Sequence, residues 1–133
     1  SFNHAYTYSL HPVCCAVGLK NLEIIEREDL VARAGAMGEK LMTRMKQLEG
    51  APGVGEVRGL GLMVALEMAA DREGTPLPAS LVAGESVRRY AQEHGVIFRV
   101  KGDIIMLAPP FIVTEEQIDR IVNVIGEGIA AAM

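Results

Sequence analysis

Val96-Ile97-Phe98-Arg99-Val100-Lys101-Gly102-Asp103-Ile104-Ile105-Met106-Leu107 places two short apolar runs on either side of a glycine-containing turn. That spacing predicts an antiparallel hairpin, with strands over 96–99 and 103–107 flanking Val100-Lys101-Gly102. Pro109-Pro110 then stops ladder pairing, and Thr114-Glu115-Glu116-Gln117 reads as a capping box opening a helix. Ile118, Ile121, Val122, Ile125 and Ile129 form the apolar stripe of that helix. On the N-terminal side of the hairpin, Ser80 is placed to cap a helix that turns Leu81, Val82, Val87, Tyr90 and Ala91 inward and ends at His94-Gly95. The hairpin is thus held between two helices.

Working further outward, 54–58 and 60–67 alternate well enough for two extended segments broken near Gly59 and Gly61, with Leu62, Val64 and Leu66 on one face. Ala51-Pro52-Gly53 is a turn, and 71–78 is a surface loop. Two helices precede these strands. The first follows Pro12, whose fixed φ suits a first helical position, and runs over 13–27 with Cys14 and Cys15 on an apolar part expected in the core. The second is capped by Asp29, carries Leu30, Ala34, Met37, Leu41, Met45 and Leu48 at steps of three and four, and ends at Gly50. Two helices, a strand pair, a helix, a hairpin and a closing helix make an α+β fold: a small, mostly antiparallel sheet with helices on one face.

With 133 residues, half of them hydrophobic and 23% charged, the chain can bury a core, which excludes a disordered segment. Thirteen Lys and Arg against seventeen Asp and Glu leave a net charge of −4, and the basic residues are scattered, which argues against a nucleic-acid partner. No apolar run is long enough to span a membrane. Cys14 and Cys15 are adjacent and form neither an ordinary bridge nor a CxxC pair, so a reducing, cytoplasmic location is expected. Ser1 stands where an initiator Met would be, and the start is expected to be a cut.

Few residues suggest chemistry unaided. His4, His11 and His94 lack metal-ligand spacing, so no metal is expected. The glycines of Arg58-Gly59-Leu60-Gly61 lack the strand-then-helix setting of a dinucleotide fingerprint. In His4-Ala5-Tyr6-Thr7-Tyr8-Ser9-Leu10-His11-Pro12, hydroxyls and aromatics crowd before a helix N-terminus, where they can donate to a phosphate; an ordinary capped loop fits the same pattern. Arg99, closing an apolar run beside a turn, can present a bidentate fork to a carboxylate or pair with Asp103 across the hairpin.

The stretch Phe2-Asn3-His4-Ala5-Tyr6-Thr7-Tyr8-Ser9-Leu10-His11-Pro12 resembles the F-x-H-G-x-T-Y-S-G-H-P segment of class III pyridoxal-phosphate-dependent aminotransferases. Val57-Arg58-Gly59-Leu60-Gly61-Leu62-Met63 is similar to the family's V-R-G-x-G-L-M strand, and Phe98-Arg99 through Gly102-Asp103 to Ala108-Pro109-Pro110 to its R-x-x-G-D-x-I-x-x-A-P-P-L stretch. Ala5 and Leu10 stand where the family often has glycine, and Phe111 where leucine is usual. The resemblance implies the C-terminal part of a fold-type I enzyme, with residues 1–28 ending the large cofactor-binding domain and 29–133 forming the small domain. It further implies a homodimer in which Thr7, beside Tyr6, reaches the cofactor phosphate of the other subunit, and in which Arg99 binds the substrate carboxylate. The implied reaction moves an amino group between an amine or ω-amino acid and a keto acid such as pyruvate. The family's cofactor-bearing lysine and the aspartate facing the pyridine nitrogen match nothing here: Lys20, Lys40, Lys46 and Lys101 fit none of those motifs, so the isolated chain is expected to be inactive. A second reading comes from topology: β-α-β-β-α from Leu62 onward also suits a non-catalytic, ferredoxin-like small-molecule-binding or dimerisation module.

Overall fold

The computed structural model describes residues 5–133; the Phe2, Asn3 and His4 positions of the first motif lie outside them. Four helices and four strands follow in the expected order: α1 (Pro12–Arg27), α2 (Leu30–Lys46), β1 (Val54–Leu60), β2 (Met63–Met68), α3 (Ala83–Glu93), β3 (Arg99–Lys101), β4 (Ile104–Leu107) and α4 (Glu115–Ala132). The sheet order is β1-β2-β4-β3 with every neighbouring pair antiparallel. Because β4 lies between β2 and β3, the β2-α3-β3 crossover is a split β-α-β unit, the element behind the ferredoxin-like topology.

Strand alternation decides which face is covered. Val64, Leu66 and Met68 of β2, Ile105 and Leu107 of β4 and Val54 and Val57 of β1 are buried, whereas the residues between them are exposed or half-buried. Against this inner face pack Met37, Leu41 and Met45 of α2, Ala83 and Val87 of α3, and Ile118, Val122, Ile125 and Ile129 of α4. Leu66 and Ile105 face each other across the β2–β4 ladder, both fully buried. The other face of the sheet carries no layer among the described residues.

Both hairpins close through two-residue turns, Gly61-Leu62 and Gly102-Asp103, whose glycines have φ of +54° and +60°. A glycine first in the pair suits the backbone that matches strand twist. Helices dock on both turns through a second glycine. A Cβ added at Gly38 of α2 would lie 2.3 Å from the Gly61 carbonyl carbon, and one at Gly84 of α3 would lie 2.3 Å from the Gly102 oxygen. At the second contact the Asp103 carboxylate accepts from the Gly84 N–H at 3.2 Å, pinning the hairpin tip to the start of α3.

The capping box of α4 forms in both directions: Thr114 Oγ1 accepts from the Gln117 N–H, and Gln117 Oε1 accepts from the Thr114 N–H. Other local expectations are corrected. Asp29 precedes α2 but in a left-handed conformation, and its side chain makes no capping bond. Ser80 sits in a short 3-10 turn (Ala79–Leu81), so α3 begins only after Val82, and Leu81 and Val82 are exposed rather than inward. The second hairpin is displaced along the chain: its turn is Gly102-Asp103, and residues 96–98 precede the strand. Cys14 and Cys15 are exposed free thiols, since α1 buries none of its residues and only Ile24 and Ile25 are half-buried. An apolar period shows that a helix needs cover but not what supplies it.

Candidate functional site

A concavity of about 1150 Å³ is lined both by the uncovered face of the sheet and, beside it, by core residues such as Leu41, Val64 and Leu107 with Ile121 of α4. Its floor comes from Ala65 of β2 and Met106 of β4. One rim is Leu60 and Met63 at the first hairpin, and the other is Ile97 with Pro109 and Pro110. Leu60, Met63 and Ile97 are exposed by 88%, 71% and 87%, so the apolar rim is open. The Pro109-Pro110 side is held in place from below. Arg33 of α2 donates from Nε to the Phe111 carbonyl at 3.0 Å and from Nη2 to that of Val113 at 2.9 Å. Arg44 and Asp119 (2.8 Å), together with Lys40 and Glu115, tie α2 to the start of α4.

The charged residues lining the concavity are three arginines, Arg58, Arg99 and Arg120, with no carboxylate among them. Two are already engaged. Arg58 Nη1 lies 2.7 Å from both Glu67 and Glu56; Glu67 first, then Glu56, raises the guanidinium further above its ordinary pKa. Arg120 donates from Nη2 to the His94 carbonyl at the end of α3, at 3.1 Å. Arg99 is exposed on β3 and has no side-chain partner among the described residues. The cross-hairpin pair with Asp103 is not formed, because the Asp103 carboxylate is turned to the Gly84 amide. An unpaired guanidinium over an apolar floor is suited to a carboxylate, which it can grip with two parallel bonds.

The sequence singled out Arg99 but neither Arg58 nor Arg120. The alternation of β1 did put Arg58 opposite to Val57, yet its place in this concavity depends on strand order. Arg120 arrives from a helix that only the tertiary packing brings to the rim.

Tyr6 and Thr7 lie elsewhere. Both are exposed in the loop before α1, and neither lines the concavity. The loop is a tight turn: Tyr6 accepts from the Ser9 N–H at 2.9 Å, and Ser9 Oγ accepts from the Tyr6 N–H at 3.0 Å. Leu10 has φ +62°, the left-handed region where a side chain costs roughly 1–2 kcal/mol and glycine does not. α1 then starts with Pro12 and has neither a side-chain cap nor an acidic residue in its first turn, so its leading N–H groups face outward uncompensated. His94 closes α3, with Nδ1 2.8 Å from the Tyr90 carbonyl and its ring stacked on that of Tyr90. No cluster of metal-ligating side chains occurs among the described residues, and no helix there is long and apolar enough to cross a membrane.

Comparison with known proteins assigns the arrangement. The family described as "Aminotransferase class-III" matches residues 1–129. The chain is 36% identical over 130 residues to the mitochondrial gamma aminobutyrate transaminase 1 of Solanum lycopersicum, covering 97% of this chain and 25% of that protein. Among solved structures, a six-fold mutant of a thermostable omega transaminase from Pseudomonas jessenii superposes with a TM-score of 0.90 at 39% identity, over 100% of this chain and 30% of that one. A transaminase from the marine bacterium Virgibacillus gives 0.90 at 37% identity, over 99% and 31%. The chain therefore spans about a quarter to a third of the length of the relatives it matches. The ferredoxin-like reading survives only as topology, because fold alone does not carry function. With a family match across nearly its whole length and a superposable fold, the chain belongs to the class III aminotransferases.

Proposed function

We propose that this chain is the C-terminal part of a pyridoxal-phosphate-dependent aminotransferase that moves an amino group between an amine or ω-amino acid and a keto acid such as pyruvate. The observation that carries this reading is Arg99, the unpaired member of an all-arginine charged lining, held by β3 above an apolar floor. Such a site binds a small monoanion through its carboxylate and leaves the apolar part of the ligand against Met106 and the exposed rim. Support for the substrate class comes from relatives described as gamma aminobutyrate and omega transaminases.

The division into residues 1–28, ending a large domain, and 29–133, forming the small domain, is supported by burial: no described residue before Leu30 is buried, and the buried clusters, a large one and a small one of Ala91, Val96 and Val124, all lie after it. The loop around Tyr6 and Thr7 fits a phosphate dianion, since hydroxyl donors precede an uncapped helix N-terminus that has no acidic residue to repel it. Neither Tyr6 nor Thr7 lines the concavity, and in this reading the loop serves the other subunit of a homodimer. Pyridoxal phosphate, when bound, supplies the electron sink for amino transfer; this chain's residues hold its phosphate and the substrate carboxylate.

In the complete enzyme, Thr7→Ala weakens cofactor retention by about 1–3 kcal/mol, the cost of removing a hydrogen bond to a charged group. Equilibrium dialysis of the dimer measures it, and unchanged retention would remove Thr7 from the phosphate site. The 133-residue chain alone, mixed with pyridoxal phosphate, an amine and pyruvate, turns over no faster than the cofactor by itself. Faster turnover would show that the chain carries its own catalytic lysine. For the complete enzyme, transfer from an amine or ω-amino acid to a keto acid is the expected activity, and a failure with every such pair would overturn the proposal.

A further inference from the structure

The register of the sheet lines up Arg58, Ala65, Met106 and Arg99 in one row across β1, β2, β4 and β3 on the open face. The row has an arginine at each end, and the two are in opposite states. Arg58 has Glu56 two residues back on its own strand and Glu67 diagonally across, both on the same face, and both bind it. Around Arg99 the same positions hold different chemistry. Its direct cross-strand neighbour is Met106, the diagonal positions are Ile104 and Ala108, and two residues away along its own chain stand Ile97, before the strand begins, and Lys101. Directly opposed side chains have Cβ atoms about 4.5–5.5 Å apart and diagonal ones about 7–8 Å, within the lateral reach of a guanidinium. Every group in that reach is uncharged or cationic. Across the turn, Asp103 is held by Gly84.

We infer that Met106 is a positioning residue for the keto-acid half-reaction. As the uncharged side chain opposite Arg99, it leaves the guanidinium without an internal counter-ion, so the ligand's carboxylate becomes the counter-ion. This inference rests on the reading of Arg99 given above. A carboxylate at position 106 would stand to Arg99 as Glu67 stands to Arg58, and the free arginine population would fall.

The test is made in the complete enzyme with single-turnover assays of both half-reactions, comparing pyruvate with an amine that has no carboxylate. Met106→Glu is expected to raise the apparent KM for pyruvate about fivefold more than Met106→Gln does, the effect of an exposed ion pair competing for the binding group, while the amine half-reaction changes to the same extent in both variants. Met106→Gln, of similar shape and uncharged, and Met106→Lys, which cannot pair with Arg99, are expected to raise it only by what the lost apolar contact costs, well short of the rise with Glu. A rise with Gln or Lys matching that with Glu would assign the effect to packing and overturn the inference. If Arg99→Ala raises the pyruvate KM but Met106→Glu does not, Met106 has no such role and the reading of Arg99 stands. If Arg99→Ala itself leaves pyruvate unaffected, the carboxylate reading falls and the role of Met106 falls with it.

Discussion

Replacing Arg99 with alanine in the complete enzyme should lower kcat/KM for the keto-acid half-reaction by about 2–4 kcal/mol and leave an amine donor without a carboxylate nearly unaffected. The selectivity follows from the position of the side chain. Arg99 stands on the open face, with no partner among the described residues, and lines the concavity, so its loss removes the proposed contact to a substrate carboxylate and leaves no orphaned internal carboxylate. Arg99→Lys should recover only part of the loss, because an ammonium keeps the charge but not the planar fork. Arg58 is the internal control. Its guanidinium is shared between Glu56 and Glu67, so Arg58→Ala strands two exposed carboxylates and should affect both half-reactions alike. Single-turnover rates with pyruvate and with an uncharged amine decide the matter, and equal losses for the two substrates in Arg99→Ala would remove the carboxylate clamp.

The second large effect is on stability and depends on one contact between a helix and a turn. Gly38→Val should destabilise the chain by about 3 kcal/mol, at the upper end of overpacking penalties. An added Cβ would lie 2.3–2.5 Å from three backbone atoms of Gly61, and a backbone cannot swing aside as a side chain tip can. Gly61 in turn needs its positive φ to close the β1–β2 hairpin, so neither partner can give way. Gly35, one turn earlier on the same helix, is the contrast. A Cβ there meets nothing within 4 Å, and Gly35→Ala should stabilise by about 0.5–1 kcal/mol through helix propensity alone. Denaturant unfolding midpoints of the two variants measure both signs. A Gly38→Val chain as stable as the parent would mean that α2 does not dock on the hairpin turn.

Much of this architecture was legible in the residues because it is written in local chemistry. The capping box at Thr114–Gln117, the stripe of α2 and the alternation of Val64 and Leu66 each depend on neighbours a few positions away. Local chemistry also misled. Asp29, Ser80 and the paired cysteines looked like caps and core because their side chains suit those roles, but capping depends on backbone angles and burial on a neighbour. The motif around Leu10 was informative in another way: a departure from glycine in the sequence coincides with a φ of +62° in the structure.

The class III family, the α+β order and the candidacy of Arg99 could therefore be read from the chain of residues, since motif spacing and hydrophobic period are one-dimensional properties. Strand order could not. Only the packed sheet brings β4 between β2 and β3, setting Met106 rather than a carboxylate beside Arg99 while giving Arg58 two glutamates on the same face. The electrostatic state of an arginine depends on what lies within a few ångströms across a ladder, and ladder neighbours are distant in sequence. The same limit applies to Gly38 and Gly61, whose contact is a matter of backbone shape. Local sequence chose the elements; long-range packing decided which arginine was left free.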